Sequence, residues 1–198
     1  MDIPSVGEIR ELHAKYAPSE EVFSLVHTHG EIVWQVAERL ISFSGCGVDA
    51  ELVRAGCLLH DIGVYRLYDT EGRFDERNYV CHGVLGHELL AGEGLPEVLH
   101  RFCSCHTGVG LSKEDVVRQG LPLPPADYLA ITPEERLVMY ADKFHSKTTP
   151  PKFVSPGTYA AYIGRFGEDK VAAFQALRAA FGDPELEDLA ASHGHAMT

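Results

Sequence analysis

No apolar run in this chain reaches the length needed to cross a bilayer, and Met1 to Arg10 carry neither a basic start nor an apolar stretch. Neither a membrane span nor a secretory leader is expected, and the cytosol is the expected compartment. Basic clusters are equally scarce: none exceeds two residues, and the 198-residue chain has a formal charge of −12. A nucleic-acid polymer and an anionic membrane surface are therefore not expected partners. That acidity leaves a phosphorylated substrate open, because bound divalent ions reverse the local field. There is no Walker-type loop and no Gly-x-Gly-x-x-Gly. The five cysteines, Cys46, Cys57, Cys81, Cys103 and Cys105, are odd in number and lack the spacing of a disulfide framework, so free thiols are expected. Cys103-x-Cys105-His106 looks like half of a zinc site, but no matching pair exists elsewhere in the chain. Repeats and low-complexity tracts are missing too.

What the chain has in excess is histidine. There are 11, seven of them between His27 and His106. The segments that carry them read as helices. Ser19-Glu20-Glu21 opens one that runs to about Ile41, with Val22, Leu25, Val26, Ile32, Val33, Val36 and Leu40 at helical spacing. A second runs from about Asp49 to Asp61, apolar on most sides and stopped by Gly63. Tyr68 to Asn78 reads as a loop. Helices follow over about Tyr79–Ala91 and Pro96–Cys105, and Ser112-x-x-Asp115 caps a short one ending near Gly120. Thr132-Pro133-Glu134-Glu135 starts a helix through Asp142 to about Ser146. Two more are expected near Thr158–Phe166 and Asp169–Phe181, before a frayed tail. The expected fold is all-α, a single domain with its core over about residues 20–147 and a helical extension over 148–198.

Helical spacing sorts the histidines. His29 lies in line with Leu25, Val26, Ile32, Val33 and Val36 and faces inward, whereas His27 lies on the opposite side with Glu31 and Trp34. His106 follows Leu99, Phe102 and Cys103 inward; His100 does not share that stripe. His82 and His87 each have apolar neighbours, so spacing does not choose between them. Five residues apart on a straight helix, they point about 140° apart and do not converge on one ion. Asp142 shares a face with Val138 and Met139, and Asp61 ends a helix that reads as buried. A buried carboxylate is expensive unless it is paired or coordinates a metal. Imidazole with carboxylate suits zinc, iron, manganese or nickel.

His29, then His60-Asp61, then Asp142 resembles the HD superfamily of metal-dependent phosphohydrolases, and His60-Asp61-Ile62-Gly63 is similar to its HDIG subgroup. His82-Gly-Val-Leu-Gly86 and Cys105-His106-Thr-Gly-Val-Gly110 resemble two further histidine elements of that family. The resemblance covers about Val22 to Lys147. It implies a helical bundle around a buried metal site with His29, His60, Asp61 and Asp142 as ligands. His82 and His106 would complete a second site, with His87 as the substitute for His82. The implied cofactor is two divalent transition-metal ions (Fe, Mn, Zn or Ni) bridged by Asp61. The implied chemistry is attack of metal-bound hydroxide on phosphorus in a phosphate ester or anhydride, with a nucleotide or other small phosphorylated molecule as substrate. His60, Asp61 and Lys143 are the catalytic candidates. Lys147, Arg66, Arg73 and Arg77 are further candidate phosphate contacts, and His145 is a candidate proton donor behind the ligands. Two other readings share the ligand set: an HD-fold di-iron oxygenase, and a nucleotide- or metal-binding regulator without turnover.

Overall fold

A computed structural model describes residues 3–198. Helix α1 spans Val6–Tyr16, α2 Glu20–Ser44 and α3 Ala50–Leu59. Helix α4 spans His82–Gly92, α5 Glu97–Ser104, α6 Lys113–Gln119 and α7 Pro133–Asp142. The chain continues with α8 Pro156–Ile163, α9 Glu168–Phe181 and α10 Glu187–His193. Three two-residue strands, β1 His145–Ser146, β2 Lys152–Phe153 and β3 Ala196–Met197, form one small sheet in that order. The first pair is antiparallel and the second parallel. The fold is thus all-α apart from this sheet.

Local signals explain most boundaries. Ser19 caps α2 by accepting from Val22 N–H, and Gly45 ends it in the left-handed region at φ 62°. Asp49 caps α3, and Ser112 and Thr132 form reciprocal capping boxes with Asp115 and Glu135. The core is built where α2, α3 and α7 pack together, with the α4–α5 hairpin against them; Ile32, Val33, Val36, Leu59, Leu99, Leu137, Val138 and Tyr140 are buried there. Gly30 sets the approach of α2 to α3, since a Cβ there would stand 3.0 Å from the Cys57 carbonyl oxygen. That contact puts His29, one residue earlier, beside the end of α3.

The structure corrects several boundaries. Helix α3 stops at Leu59 and continues as a 3-10 helix over Ile62–Leu67, and the expected loop before α4 holds another over Glu76–Cys81. Helix α7 ends at Asp142, so β1 replaces the expected last turn. The tail does not fray: α10 and β3 close it onto β2, where Thr198 N–H donates to the Phe153 carbonyl at 3.0 Å. Helix α1 has no counterpart among the expected elements.

Candidate metal centre

Five parts of the fold deliver the inward polar side chains to one point. His29 comes from α2, His60 and Asp61 from the end of α3, His82 from the first residue of α4, and His106 from the loop after α5. Asp142 is the last residue of α7. All except Asp142 are buried, and Asp142 is largely covered. Around one centre, His29 Nε2 and His60 Nε2 stand 3.3 Å apart, and each lies 3.0 to 3.3 Å from Asp61 Oδ2 and Asp142 Oδ1. Around the other, Asp61 Oδ1 lies 3.3 Å from His82 Nε2 and 3.6 Å from His106 Nε2, with the two imidazole nitrogens 2.9 Å apart. Asp61 is the member both groups share.

Three of these imidazoles are anchored through Nδ1 on backbone carbonyls. His60 Nδ1 is 2.7 Å from Cys57 O, His82 Nδ1 2.5 Å from Tyr79 O, and His106 Nδ1 3.0 Å from Phe102 O. A carbonyl can only accept, so each neutral ring carries its proton on Nδ1 and aims a bare Nε2 lone pair inward. The cluster therefore turns lone pairs toward lone pairs, which repel unless a cation lies between them. Ligand atoms about 2.0–2.2 Å from one ion lie roughly 3–3.5 Å from each other, which matches both groups. Asp61 Oδ1 is also a buried oxygen with no hydrogen-bond partner among the described residues. Donor chemistry, spacing and the orphaned oxygen all fit divalent metal.

The electrostatics show the same demand for positive charge. Burial works against ionisation of His60, yet Asp61 and Asp142 outweigh it and hold its pKa up at about 9. Burial also opposes the Asp61 and Asp142 carboxylates, but Lys147 and Lys143, with the histidines, keep both well below the usual range. Burial foremost pushes His82 down to about 3. Metal binding would replace the His60 proton, as expected when an imidazole becomes a ligand.

Other candidates fall elsewhere. His87 lies on α4 with Nδ1 3.1 Å from Ser104 Oγ and is no part of the cluster. His27 stays outside it too, but is not on an open face: it is buried, stacked on Phe23 and edge-on to His13 of α1. His100 is likewise buried, with Nε2 2.6 Å from the Leu95 carbonyl. Arg66 lies over the Tyr16 ring and Arg73 pairs with Asp69 and Glu71. Neither these nor Arg77 lines the cavity of about 750 Å³ that opens over Asp61, His82, His106 and Asp142. Lys143 and Lys147 do line it. Lys143 Nζ donates to Asp142 Oδ2 at 2.6 Å and to the His106 carbonyl at 2.9 Å, and Lys147 Nζ donates to Asp61 Oδ2. The extension lines it as well, through Tyr159, Tyr162 and Phe166 of the α8 region. Sequence reasoning missed this lining, because α8 carries no motif. All five cysteines are free thiols.

The chain belongs to the HD domain family, whose sequence profile matches residues 12–147. Its architecture is similar to the HD domain of the phosphodiesterase PgpH from L. monocytogenes. That domain alone gives a TM-score of 0.55 at 16% identity, covering 93% of this chain and 98% of the other. The same domain in complex with cyclic-di-AMP gives 0.55 at 17%, covering 94% and 97%. At such identity the likeness is one of fold. An uncharacterized protein of Methanocaldococcus jannaschii is 44% identical over 102 residues, 52% of this chain and 53% of that protein. The tRNA (cytidine(56)-2'-O)-methyltransferase of Picrophilus torridus is 34% identical over 128 residues, 65% of this chain and 33% of the enzyme. The chain thus spans about half of the first relative and a third of the second, and the methyltransferase activity belongs to the second as a whole.

Proposed function

We propose that this chain is a metal-dependent phosphohydrolase acting on a small phosphorylated molecule, with a nucleotide as the first substrate class. The observation that carries this reading is the pair of donor groups sharing Asp61, with Asp61, His82, His106 and Asp142 lining one cavity. In this reading His29, His60, Asp61 and Asp142 hold one ion, and Asp61, His82 and His106 hold a second; iron, manganese, zinc and nickel all suit the donors. When bound, such a pair supplies Lewis-acid polarisation of phosphoryl oxygens and acidifies a water molecule.

The side chains divide the remaining work. Asp61 offers one oxygen to each donor group and can orient the attacking water or accept its proton. Lys143 ties Asp142 to the His106 loop, so it holds the two groups in register while lining the cavity. Lys147 lies over the Tyr79 ring, its nitrogen 5.7 Å from the centroid, with its charge at the cavity floor where a phosphate would enter. Tyr159, Tyr162 and Phe166 line the same cavity and offer aromatic rings on which a base can stack. The cyclic-di-AMP held by the related PgpH domain supports a nucleotide.

The test is elemental analysis of tag-free protein, followed by product release from nucleoside mono- and triphosphates and cyclic dinucleotides with manganese, iron or zinc. Near two ions per chain with metal-dependent phosphate or nucleotide release is the expected result. A chain that takes up no metal when all three are supplied would sink the reading. Oxygen consumption with iron, without hydrolysis, would replace it with oxygenase chemistry.

A further inference from the structure

Behind His29, on the side away from the carboxylates, two more imidazoles continue outward. His29 Nδ1 lies 2.8 Å from His145 Nδ1, and His145 Nε2 lies 3.1 Å from His195 Nδ1. The rings stack in series, with centroids 5.1 and 5.2 Å apart and interplanar angles of 27° and 20°. His29 and His145 are buried and His195 is half-buried. His145 is packed edge-on against Phe153 of β2. His195 stands one residue before β3, and its N–H donates to the Ala190 carbonyl at 3.0 Å. The outer ring of the row, His195, is thus held in place by the end of α10 and by the pairing of β3 with β2.

We infer that His145 and His195 are positioning residues for the metal ligand His29, and that docking of the segment around β3 is coupled to metal binding. This rests on the metal-site reading above. For His29 to present a bare Nε2 to an ion, its proton must sit on Nδ1. His145 Nδ1 must then accept it, which places the His145 proton on Nε2, and His195 Nδ1 must accept in turn. Each ring thus dictates the tautomer of the one before it, and the row ends at the half-buried His195. An acceptor on the outer nitrogen of a ligating histidine fixes ring orientation and strengthens its basicity; losing one typically weakens metal binding 10–100-fold. Because coupling is reciprocal, an ion on His29 must in turn strengthen the contacts that hold His195 in place.

The experiment is zinc affinity by chelator competition on the whole chain, with ring nitrogens assigned by 15N NMR. Wild type should show zinc on His29 Nε2 and protons on His29 Nδ1 and His145 Nε2. His145→Ala should bind zinc about 10–100-fold more weakly. His195→Ala should show a smaller loss in the same direction; because this site is half-buried, it decides the question if His145→Ala fails to fold. His195→Gln, which keeps an acceptor, and Met197→Ala on the exposed face of β3 should stay within about twofold of wild type. Zinc should slow hydrogen exchange at the Thr198 amide in wild type but not in His145→Ala. Wild-type affinity in both His145→Ala and His195→Ala would overturn the coupling while leaving the metal site intact. Absence of zinc binding by wild type would overturn the metal reading itself, and this inference with it.

Discussion

His82 and His87 show how a site is decided one residue at a time. Their spacing leaves the choice open, since both have apolar neighbours on α4. In the structure α4 begins at His82, whose Nδ1 is pinned to the Tyr79 carbonyl and whose Nε2 turns to Asp61. His87, one and a half turns on, packs edge-on against His100 with ring centroids 5.2 Å apart. His82→Ala should therefore lower metal content from about two ions per chain to about one, because His29, His60, Asp61 and Asp142 do not depend on it. His87→Ala should leave metal content unchanged. Elemental analysis of the two variants side by side checks both, and equal loss in both would return His87 to the site. The inward reading of His29 and His106 rests on a periodicity that survives in three dimensions. The outward reading of His27 does not, because α1 covers that face of α2 and supplies His13 as a neighbour.

At the scale of elements, the glycine that follows His60-Asp61-Ile62 has a mechanical role. A Cβ at Gly63 would stand 2.0 Å from the His82 carbonyl oxygen and 2.3 Å from the Gly86 nitrogen, both backbone atoms. The 3-10 helix after α3 thus lies directly on α4, and this contact fixes His82 relative to Asp61. Gly63→Ala must push α4 away. Overpacking of this kind typically costs about 1–3 kcal/mol, and here the neighbour is backbone, so the upper end is expected. Urea denaturation should show that loss, and the metal content of the folded fraction should fall toward one ion per chain. Full stability with two ions retained would mean that α4 yields at no cost. The end of α7 teaches a related lesson. Asp142 is the last helical residue, and Lys147, just beyond β1, reaches Asp61 from the irregular chain that follows.

For the molecule as a whole, pH sensitivity follows from how α1 is docked. His13 is fully buried against α3 and the following 3-10 helix, with Nδ1 2.8 Å from Tyr65 Oη and Nε2 2.8 Å from the Leu58 carbonyl. Burial, ahead of the neighbouring His27 and His60, pushes its pKa from 6.5 down to about 4. The unfolded chain then binds a proton between those values that the folded chain refuses. The contribution of His13 to stability is full above about pH 6.5 and is lost as pH falls toward 4, by roughly 3 kcal/mol. Denaturation of metal-free protein across that window should show the slope, and His13→Gln should make it shallower. An unchanged slope would assign the effect to other histidines.

The helical class, most helix starts and the six inward side chains that the fold brings together were legible in the chain. Capping boxes and apolar periodicity are local, and a His or Asp on an apolar stripe is costly unless it binds something. Tertiary structure decided the rest. Two-residue strands carry no periodicity, so nothing before folding could show that Ala196–Met197 closes on Lys152–Phe153 and brings His195 behind His29. The aromatic wall of the cavity, the burial of His27 and His100 and the reach of Lys147 likewise depend on which elements meet across long separations. Such closures arise from packing of the whole core, which no single window of sequence contains.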